Sequence, residues 1–332
     1  MKKNKKISAI ITCYLDAQAI PIMYDRLIKV FDKIQVDYEI IFINDGSPDN
    51  TEDVLTDLCK KDQKVIGITH SRNFGGQAGF MSGMEISSGD SVVLMDGDLQ
   101  DPPELIQEFY EKWIEGYDVI YGIRIKREMK PFLENFYKLF YRIFSFMSYV
   151  NIPKDAGDFS LIDKKVVKSL ISLPETDQYL RGLRAWVGFK QIGVNYIRPE
   201  RMFGKSTNNV ISNLYWAKKA IFSFSFQPLS WITLLGLVFT LFSFIAIIFQ
   251  VILRLTMPDA APEGYTTIVI LILFFGGINF LALSFIGEYI SKIFEETKKR
   301  PKFIRKEITL GNKKITEFQE INNFVDKRKN NN

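Results

Sequence analysis

The sequence predicts an α/β domain built on a mostly parallel sheet, followed by two helices long enough to cross a bilayer. Three observations carry this. Short apolar runs rich in β-branched residues alternate with helical patterns up to residue 121. Several of those runs end in polar clusters with glycine. Two stretches without a charge, Leu229–Leu253 and Tyr265–Gly287, lie near the C-terminus. At about 1.5 Å per residue, each exceeds a hydrocarbon core of roughly 30 Å.

Ile7–Cys13 reads as a buried strand, and a helical pattern runs from there to Ile34. Tyr38–Ile43 is a second strand, ending in Asn44-Asp45-Gly46-Ser47-Pro48. Thr51–Lys61 is helical, Val65–Thr69 a third strand, and Gly75–Ser87 a helix. Ser91–Met95 is a fourth strand, ending at Asp96-Gly97-Asp98. Pro102 and Pro103 open a helix through Trp113, as proline does in a first turn. Val119–Tyr121 is a fifth strand. Sheets of this kind bind ligands beyond the carboxyl ends of their strands. The polar clusters at 44–47, 70–77 and 96–101 all fall there. Two aromatic segments, Pro131–Val150 and Asn209–Phe226, have the pattern of amphipathic helices. Core packing is one reading of them; helices lying in a membrane interface is the favoured one.

The division expected is a domain over 1–208 (with the aromatic helix at 131–150), an interfacial helix at 209–227, two membrane helices within 228–287, and a basic tail over 288–332. The chain has 332 residues, more than one core usually holds, and a net charge of +5. Its basic residues form no stripe interleaved with aromatics, which argues against nucleic acid as a partner. They gather beside the apolar stretches instead, as Lys218-Lys219, Lys292, Lys298-Lys299-Arg300 and Arg305-Lys306. The connecting loop holds Arg254 against Asp259 and Glu263. The positive-inside rule then puts both the large domain and the C-terminus on the cytoplasmic side of a plasma membrane. Cys13 and Cys59 make no disulfide framework or cysteine zinc site. Ile7–Cys13 is too short for a signal peptide core. Asp326–Asn332 reads as a disordered polar end.

Asp96-Gly97-Asp98-Leu99-Gln100-Asp101 concentrates hard oxygen ligands in one turn after a strand. That suits Mg²⁺ or Mn²⁺ shared with phosphate oxygens, where the metal stabilises a leaving diphosphate. A helix cap in a solvated turn is the bland alternative. Asp45 either caps the next helix or accepts hydrogen bonds from a base or ribose. His70 is the only histidine, and a lone histidine is more often structural. Gly75-Gly76-Gln77-Ala78-Gly79 lacks both the P-loop lysine and the dinucleotide-binding spacing, which removes ATPase and dehydrogenase readings.

Taken together, Ile43-Asn44-Asp45-Gly46-Ser47, Ser71-Arg72-Asn73-Phe74-Gly75, Asp96 to Glu104, Asp155-Ala156-Gly157-Asp158-Phe159, and Arg181-Gly182-Leu183 through Arg201-Met202-Phe203-Gly204-Lys205-Ser206 resemble glycosyltransferase family 2. The type is the polyprenyl-phosphate glycosyltransferases, which include bactoprenol glucosyltransferases and dolichol-phosphate mannose synthases. The resemblance spans residues 6–305 and includes the two apolar stretches and Gly287-Glu288-Tyr289-Ile290. It implies a GT-A catalytic fold, a nucleotide-sugar donor (UDP-glucose as the first choice), a polyprenyl phosphate acceptor, inversion, and Mg²⁺ or Mn²⁺. It also implies a homo-oligomer, a tetramer in related enzymes.

By the same resemblance, Tyr14, Asp16, Asp45, Arg72 and Asn73 hold the nucleotide sugar, and Asp96 contacts its nucleotide end. Asp98 and Gln100 bind the metal. Arg124, Arg142, Arg201 and Ser206 bind phosphates, for which the planar arginine fork is suited. A snorkelling role is an equal alternative for Arg142. Asp158 organises the acceptor or acts as a weak base. Departures from the family pattern are Thr12-Cys13-Tyr14-Leu15-Asp16 where a Pro-x-Tyr-Asn-Glu loop is usual, Asn44 where Asp is frequent, and the uncharged Gly75-Gly76-Gln77. Two other readings compete. A processive polysaccharide synthase would have more spans and a tryptophan after Arg181, where Gly182 stands. A non-catalytic membrane scaffold would not need the carboxylate cluster.

Overall fold

The computed structural model describes residues 5–125, 153, 156–176, 179–203, 227–256 and 264–330. Strand β1 (Lys6–Cys13) is buried along almost its whole length and pairs in parallel on both sides. Its neighbours are β2 (Asp37–Asn44) and β4 (Ser91–Asp96), and β3 (Val65–His70) adds in parallel to β2. Helix α1 (Ala19–Ile34) makes the first crossover. It buries Ile20, Met23, Leu27, Val30 and Phe31, the stripe its sequence spacing lays on one face. It stops at Gln35, whose left-handed backbone (φ 52°) returns its N–H to the Phe31 carbonyl. Helices α2 (Thr51–Lys61), α3 (Gly76–Ile86) and α4 (Ile106–Ile114) follow. Beyond β4 the sheet turns antiparallel, with β6 (Ala156–Asp163) between β4 and β5 (Val119–Arg124). Strand β7 (Gln191–Tyr196) closes that side in parallel with β5, and α5 (Lys164–Ser172) and α6 (Leu180–Trp186) lie between β6 and β7 in sequence.

The tail departs from the expectation of a basic segment with a disordered end. Residues 305–330 form β8 (Arg305–Leu310), β9 (Lys313–Ile315) and α9 (Phe318–Asn330). Strand β8 pairs antiparallel with β3, and the nine strands run β7-β5-β6-β4-β1-β2-β3-β8-β9. The tail looks polar because its polar groups are satisfied inside the fold. Glu307 and Thr309 are buried; Thr309 Oγ1 donates to Glu307 at 2.8 Å, and Lys314 pairs with the same carboxylate at 2.8 Å. Ile308, Ile315, Ile321 and Val325 join the core that holds Phe80 and Met84 of α3.

Two long helices precede that tail: α7 (Gln227–Thr256) and α8 (Tyr265–Thr297). They contain the two charge-free stretches and meet through Phe239 against Phe274 and Phe275, at 5.8 and 5.7 Å between ring centroids. Leu237, Leu241, Phe249, Ile272, Phe280 and Ile293 are exposed along them. Among the described residues, one stretch, Phe274–Thr297, is long and apolar enough by composition to cross a membrane. The expected aromatic helices at 131–150 and 209–227 lie outside the described residues, apart from Gln227 at the start of α7.

Candidate active site

Parallel register brings the polar strand ends into one row. Thr12 stands opposite Asp96 and Cys13 opposite Asn44. The row continues past the strands, where Gly97 N–H donates to Thr12 O at 2.9 Å and Asp45 N–H to Cys13 O at 3.0 Å. Two glycines allow the close approach. A Cβ on Gly46, which has φ +64°, would run into the backbone of Arg72, and one on Gly97 would sit 2.9 Å from both Cys13 Sγ and Thr12 O.

On one side of the row, Asp45 is buried and holds three protein partners. It accepts from Phe74 N at 2.9 Å and Gly75 N at 2.7 Å, and it lies 2.8 Å from His70 Nδ1. A carboxylate has roughly four lone-pair sites, so one direction is left for a ligand. Asn73 Oδ1 also accepts from Gly75 N, and Arg72 stacks its guanidinium 4.0 Å over the Phe74 ring. Asn44 accepts from Ser47 N at 2.9 Å, so a neutral amide fastens this turn where the family often has a carboxylate. Ser47 Oγ in turn accepts from Leu15 N at 2.8 Å and donates to Asp49 at 2.6 Å. That pins Leu15 in a left-handed conformation (φ 60°) and leaves Tyr14 partly exposed at the cleft. Asp16 is buried beneath and accepts from Tyr14 N at 3.0 Å. Burial raises its carboxyl to about 6, with Asp98 pushing the same way.

On the other side stand the carboxylates of the loop after β4. Asp98 is buried and accepts from Arg201 Nη2 at 2.8 Å; Arg198 Nη2 lies 3.7 Å from it and 4.0 Å from Asp96. Asp101 is buried too. It accepts from the Tyr196 hydroxyl at 2.9 Å, and that hydroxyl accepts from Arg124 Nε at 3.2 Å. Burial, then the charges of Asp101 and Asp98, push the Asp96 carboxyl well above the ordinary carboxylate range. Two-fifths of the Asp96 side chain still meets solvent, so crowding by like charge sustains that direction as much as dehydration does. Gln100 donates from its side-chain amide to Pro199 O at 3.1 Å, tying the loop to the segment that carries Arg198 and Arg201. Among the described residues no three His, Cys, Asp or Glu side chains form a metal cage. What is present is an open set of hard oxygens, with Arg198 and Arg201 against one flank of it. That fits a small divalent cation completing its shell with phosphate and water.

Asp158, on β6, reaches the same cleft, close enough for its charge to act on Asp96. It forms a two-point pair with Arg181 at 3.1 and 3.0 Å. Burial alone would raise its carboxyl; the charge and hydrogen bonds of Arg181, helped by Arg184 and Arg124, hold it below the usual range. A carboxylate so stabilised is a poor proton acceptor. Arg142 and Ser206 lie outside the described residues. Arg181, Arg184, Tyr196 and Arg198 went unassigned in the sequence reading. The signal available was spacing: Arg181 and Arg184 fall three residues apart on α6, and Arg198 three before Arg201. Arg184 is almost fully buried, donating to Gly157 O at 3.2 Å, and burial lowers its guanidinium to about 10.

Known proteins align with this arrangement. The sequence profile of Glycosyl transferase family 2 matches residues 8–171. The Bacillus subtilis protein named uncharacterized glycosyltransferase YkcC is 37% identical, over 97% of this chain and 100% of its own. This chain belongs to glycosyltransferase family 2, and it is a glycosyltransferase. The glycosyltransferase is also 34% identical to a prophage bactoprenol glucosyl transferase homolog of Escherichia coli, over 91% of this chain and 99% of that one. With the bactoprenol glucosyl transferase of Shigella phage SfII it shares 35% identity over 92% and 99%. Glucosyl-3-phosphoglycerate synthase of Mycobacterium tuberculosis, a solved structure, covers 67% of this chain and 79% of its own at 16% identity and TM-score 0.45, too distant to carry substrate or metal across. The α/β fold with a mostly parallel sheet is GT-A-like, in keeping with that family.

Proposed function

We propose that this glycosyltransferase transfers a sugar, glucose from UDP-glucose as the first candidate, to a polyprenyl phosphate at the cytoplasmic face of a membrane. The carrying observation is one row of strand ends. It places the acidic cluster Asp96, Asp98 and Asp101 beside the cationic Arg198 and Arg201, in a chain whose long helices expose apolar side chains. Relatives named bactoprenol glucosyl transferase support the lipid acceptor and the sugar. The exposed apolar surface of α7 and α8 supports anchoring in the bilayer; a homo-oligomer is part of the same proposal.

In this reading Tyr14, Asp16 and Asp45 hold the nucleoside, Arg72 and Asn73 contact the nucleotide sugar, and Asp96 lies at its nucleotide end. Asp98 and Gln100 would hold Mg²⁺ or Mn²⁺. A divalent cation there would neutralise charge growing on the departing diphosphate. Arg201 and Arg198, beside Asp98, supply cationic contacts for the diphosphate; Arg124 contributes from β5. An acceptor phosphate oxygen attacks the anomeric carbon from the face opposite the diphosphate. The new carbon–oxygen bond forms as the bond to the nucleoside diphosphate breaks, inverting the centre. A phosphate monoester has its second pKa near 6, so the acceptor arrives largely deprotonated and needs no strong base. The low basicity of Asp158 agrees with this. Asp158 and Arg181 orient the acceptor, and positioning supplies most of the rate.

The test is transfer of radiolabelled sugar from a panel of UDP- and GDP-sugars into organic-extractable undecaprenyl phosphate, with Mn²⁺ or with EDTA. Metal-dependent label in the lipid phase is expected. Donor hydrolysis without lipid label would rule out this acceptor.

A further inference from the structure

His70 looks at first like a core histidine, and the surroundings of its ring say more. Its side chain is inaccessible to solvent. Nδ1 faces Asp45 Oδ1 at 2.8 Å, and Nε2 is buried with no hydrogen-bond partner among the described residues. A carboxylate only accepts, so the ring nitrogen is the donor. The ring lies nearly parallel to Phe303, at 5.5 Å between centroids and 8° between planes, and meets the edge of Phe74 at 5.8 Å and 87°. Phe303 comes from the segment that follows α8, whose last residue is Thr297. That segment is fastened at the same point. Ser71 N donates to Ile304 O at 3.0 Å, Arg305 donates to Ser82 Oγ and O at 3.1 and 2.9 Å, and Arg305 pairs with Glu85 at 2.9 Å. The β3–β8 register slips between Thr69 and His70, which puts an irregularity at the residue that needs an unusual placement.

We propose that His70 is a positioning residue for the donor site, donating from Nδ1 to Asp45, and that Phe303, returned to the domain after the last long helix, holds the ring in that orientation. This rests on the reading of Asp45 as a donor contact. The hydrogen bond fixes which Asp45 lone pair stays open, and the Phe303 stack stops the ring from rotating away. The donor site is therefore completed by the part of the chain that leaves the apolar helices. Rotation would leave a buried carboxylate short of a partner, which is costly.

The experiment uses the full chain in detergent and measures binding of UDP and of GDP, each with Mn²⁺, together with KM and kcat for transfer. Four variants are compared: His70→Phe keeps the stack and loses the donor, His70→Asn keeps a donor near the Nδ1 position, Phe303→Leu loses the stack, and Asp45→Asn weakens the contact itself. For His70→Phe we expect Kd and KM to rise about tenfold while kcat at saturating donor changes less than about threefold, a split that general unfolding does not give. His70→Asn restores much of the affinity, and Phe303→Leu shifts Kd in the same direction as His70→Phe. Wild-type affinity in His70→Phe with Asp45→Asn impaired overturns the proposal and leaves the Asp45 reading standing. Unchanged affinity in Phe303→Leu overturns the part assigned to the tail. Unchanged affinity in Asp45→Asn, or no binding of either nucleotide by the wild type, overturns the donor reading and the proposal with it.

Discussion

Asp98 has the strongest case for a role that no neighbour can take over. It is buried and opposed by Arg198 and Arg201, and it lies in the loop that the β4 terminus projects into the cleft. Asp98→Ala removes the proposed metal contact and takes away the carboxylate that Arg198 and Arg201 share. Transfer should fall by about 10²–10³-fold, the usual size of losing a group that stabilises developing charge. The check is lipid-phase label at saturating Mn²⁺; activity within a few-fold of wild type would remove Asp98 from the site. Asp158→Asn makes a contrasting case. Since Arg181 holds that carboxyl below the usual range, its loss should act through orientation of Arg181. kcat should drop with no new base pKa in the pH–rate profile between pH 6 and 8. A lost acidic limb in that profile would restore Asp158 as a base. Gly46 is a residue of pure geometry: Gly46→Ala meets both a positive φ and the Arg72 backbone. It should cost about 1–3 kcal/mol in thermal or denaturant unfolding, an amount consistent with strained backbone positions.

At the scale of elements, helix α9 is secured to the floor of the sheet by one polar knot. Glu39 on β2 is buried and accepts from Ser8 Oγ at 2.6 Å, Ser88 N at 2.6 Å and Arg328 Nη1 at 2.8 Å, with Lys6 Nζ at 3.3 Å. Burial alone would raise its carboxyl; Arg328 and these hydrogen bonds overcome that and hold it at about 2. Because the folded pKa is depressed, the stabilisation is present above the unfolded carboxyl's range near 4.5 and is lost as pH falls from there towards 2. It amounts to something on the order of 3 kcal/mol. Arg328→Ala should move the acid unfolding midpoint upward and destabilise the protein by about 2–4 kcal/mol at neutral pH, since a buried carboxylate loses its main counter-charge. Identical acid unfolding curves for the two proteins would show that α9 is not held this way. This knot also marks where the sequence stops being readable. Strands β1 to β5 announced themselves as apolar runs ending in polar turns, and the site loops came with them. Arg305-Lys306-Glu307-Ile308-Thr309-Leu310 gave no such signal, because its cations find partners more than two hundred residues away, Arg305 on Ser82 and Glu85 and Lys306 on Glu52. Spacing marked Arg184 only as a neighbour of Arg181, and nothing local marked Tyr196, since their roles are set by Gly157 and Asp101 on other elements.

For the molecule as a whole, the order of elements along the chain constrains how it can be taken apart. Helices α7 and α8 interrupt a single sheet, because β8 and β9 follow them and cover the outer edge of β3. A polypeptide ending at residue 226 therefore keeps most of the site loops and loses the cover. It exposes the β3 edge to other chains, strips Phe303 from His70 and leaves Glu39 without Arg328. Such a fragment should aggregate and should not bind UDP or GDP in the presence of Mn²⁺, even though every residue assigned to the donor is present. Replacing residues 227–301 by a flexible linker, so that residues 302–332 can still pair with β3, should recover monodisperse protein. Nucleotide affinity should then lie within about tenfold of the full chain, since tethering keeps the tail at high effective concentration. Lipid-phase transfer should stay low, because the proposed bilayer anchor is gone. If instead the fragment ending at 226 is monodisperse and binds nucleotide as well as the full chain, the returning strand is dispensable and the sheet is complete without it. If the linked protein transfers sugar to lipid as fast as the full chain, the long helices do not supply access to the acceptor.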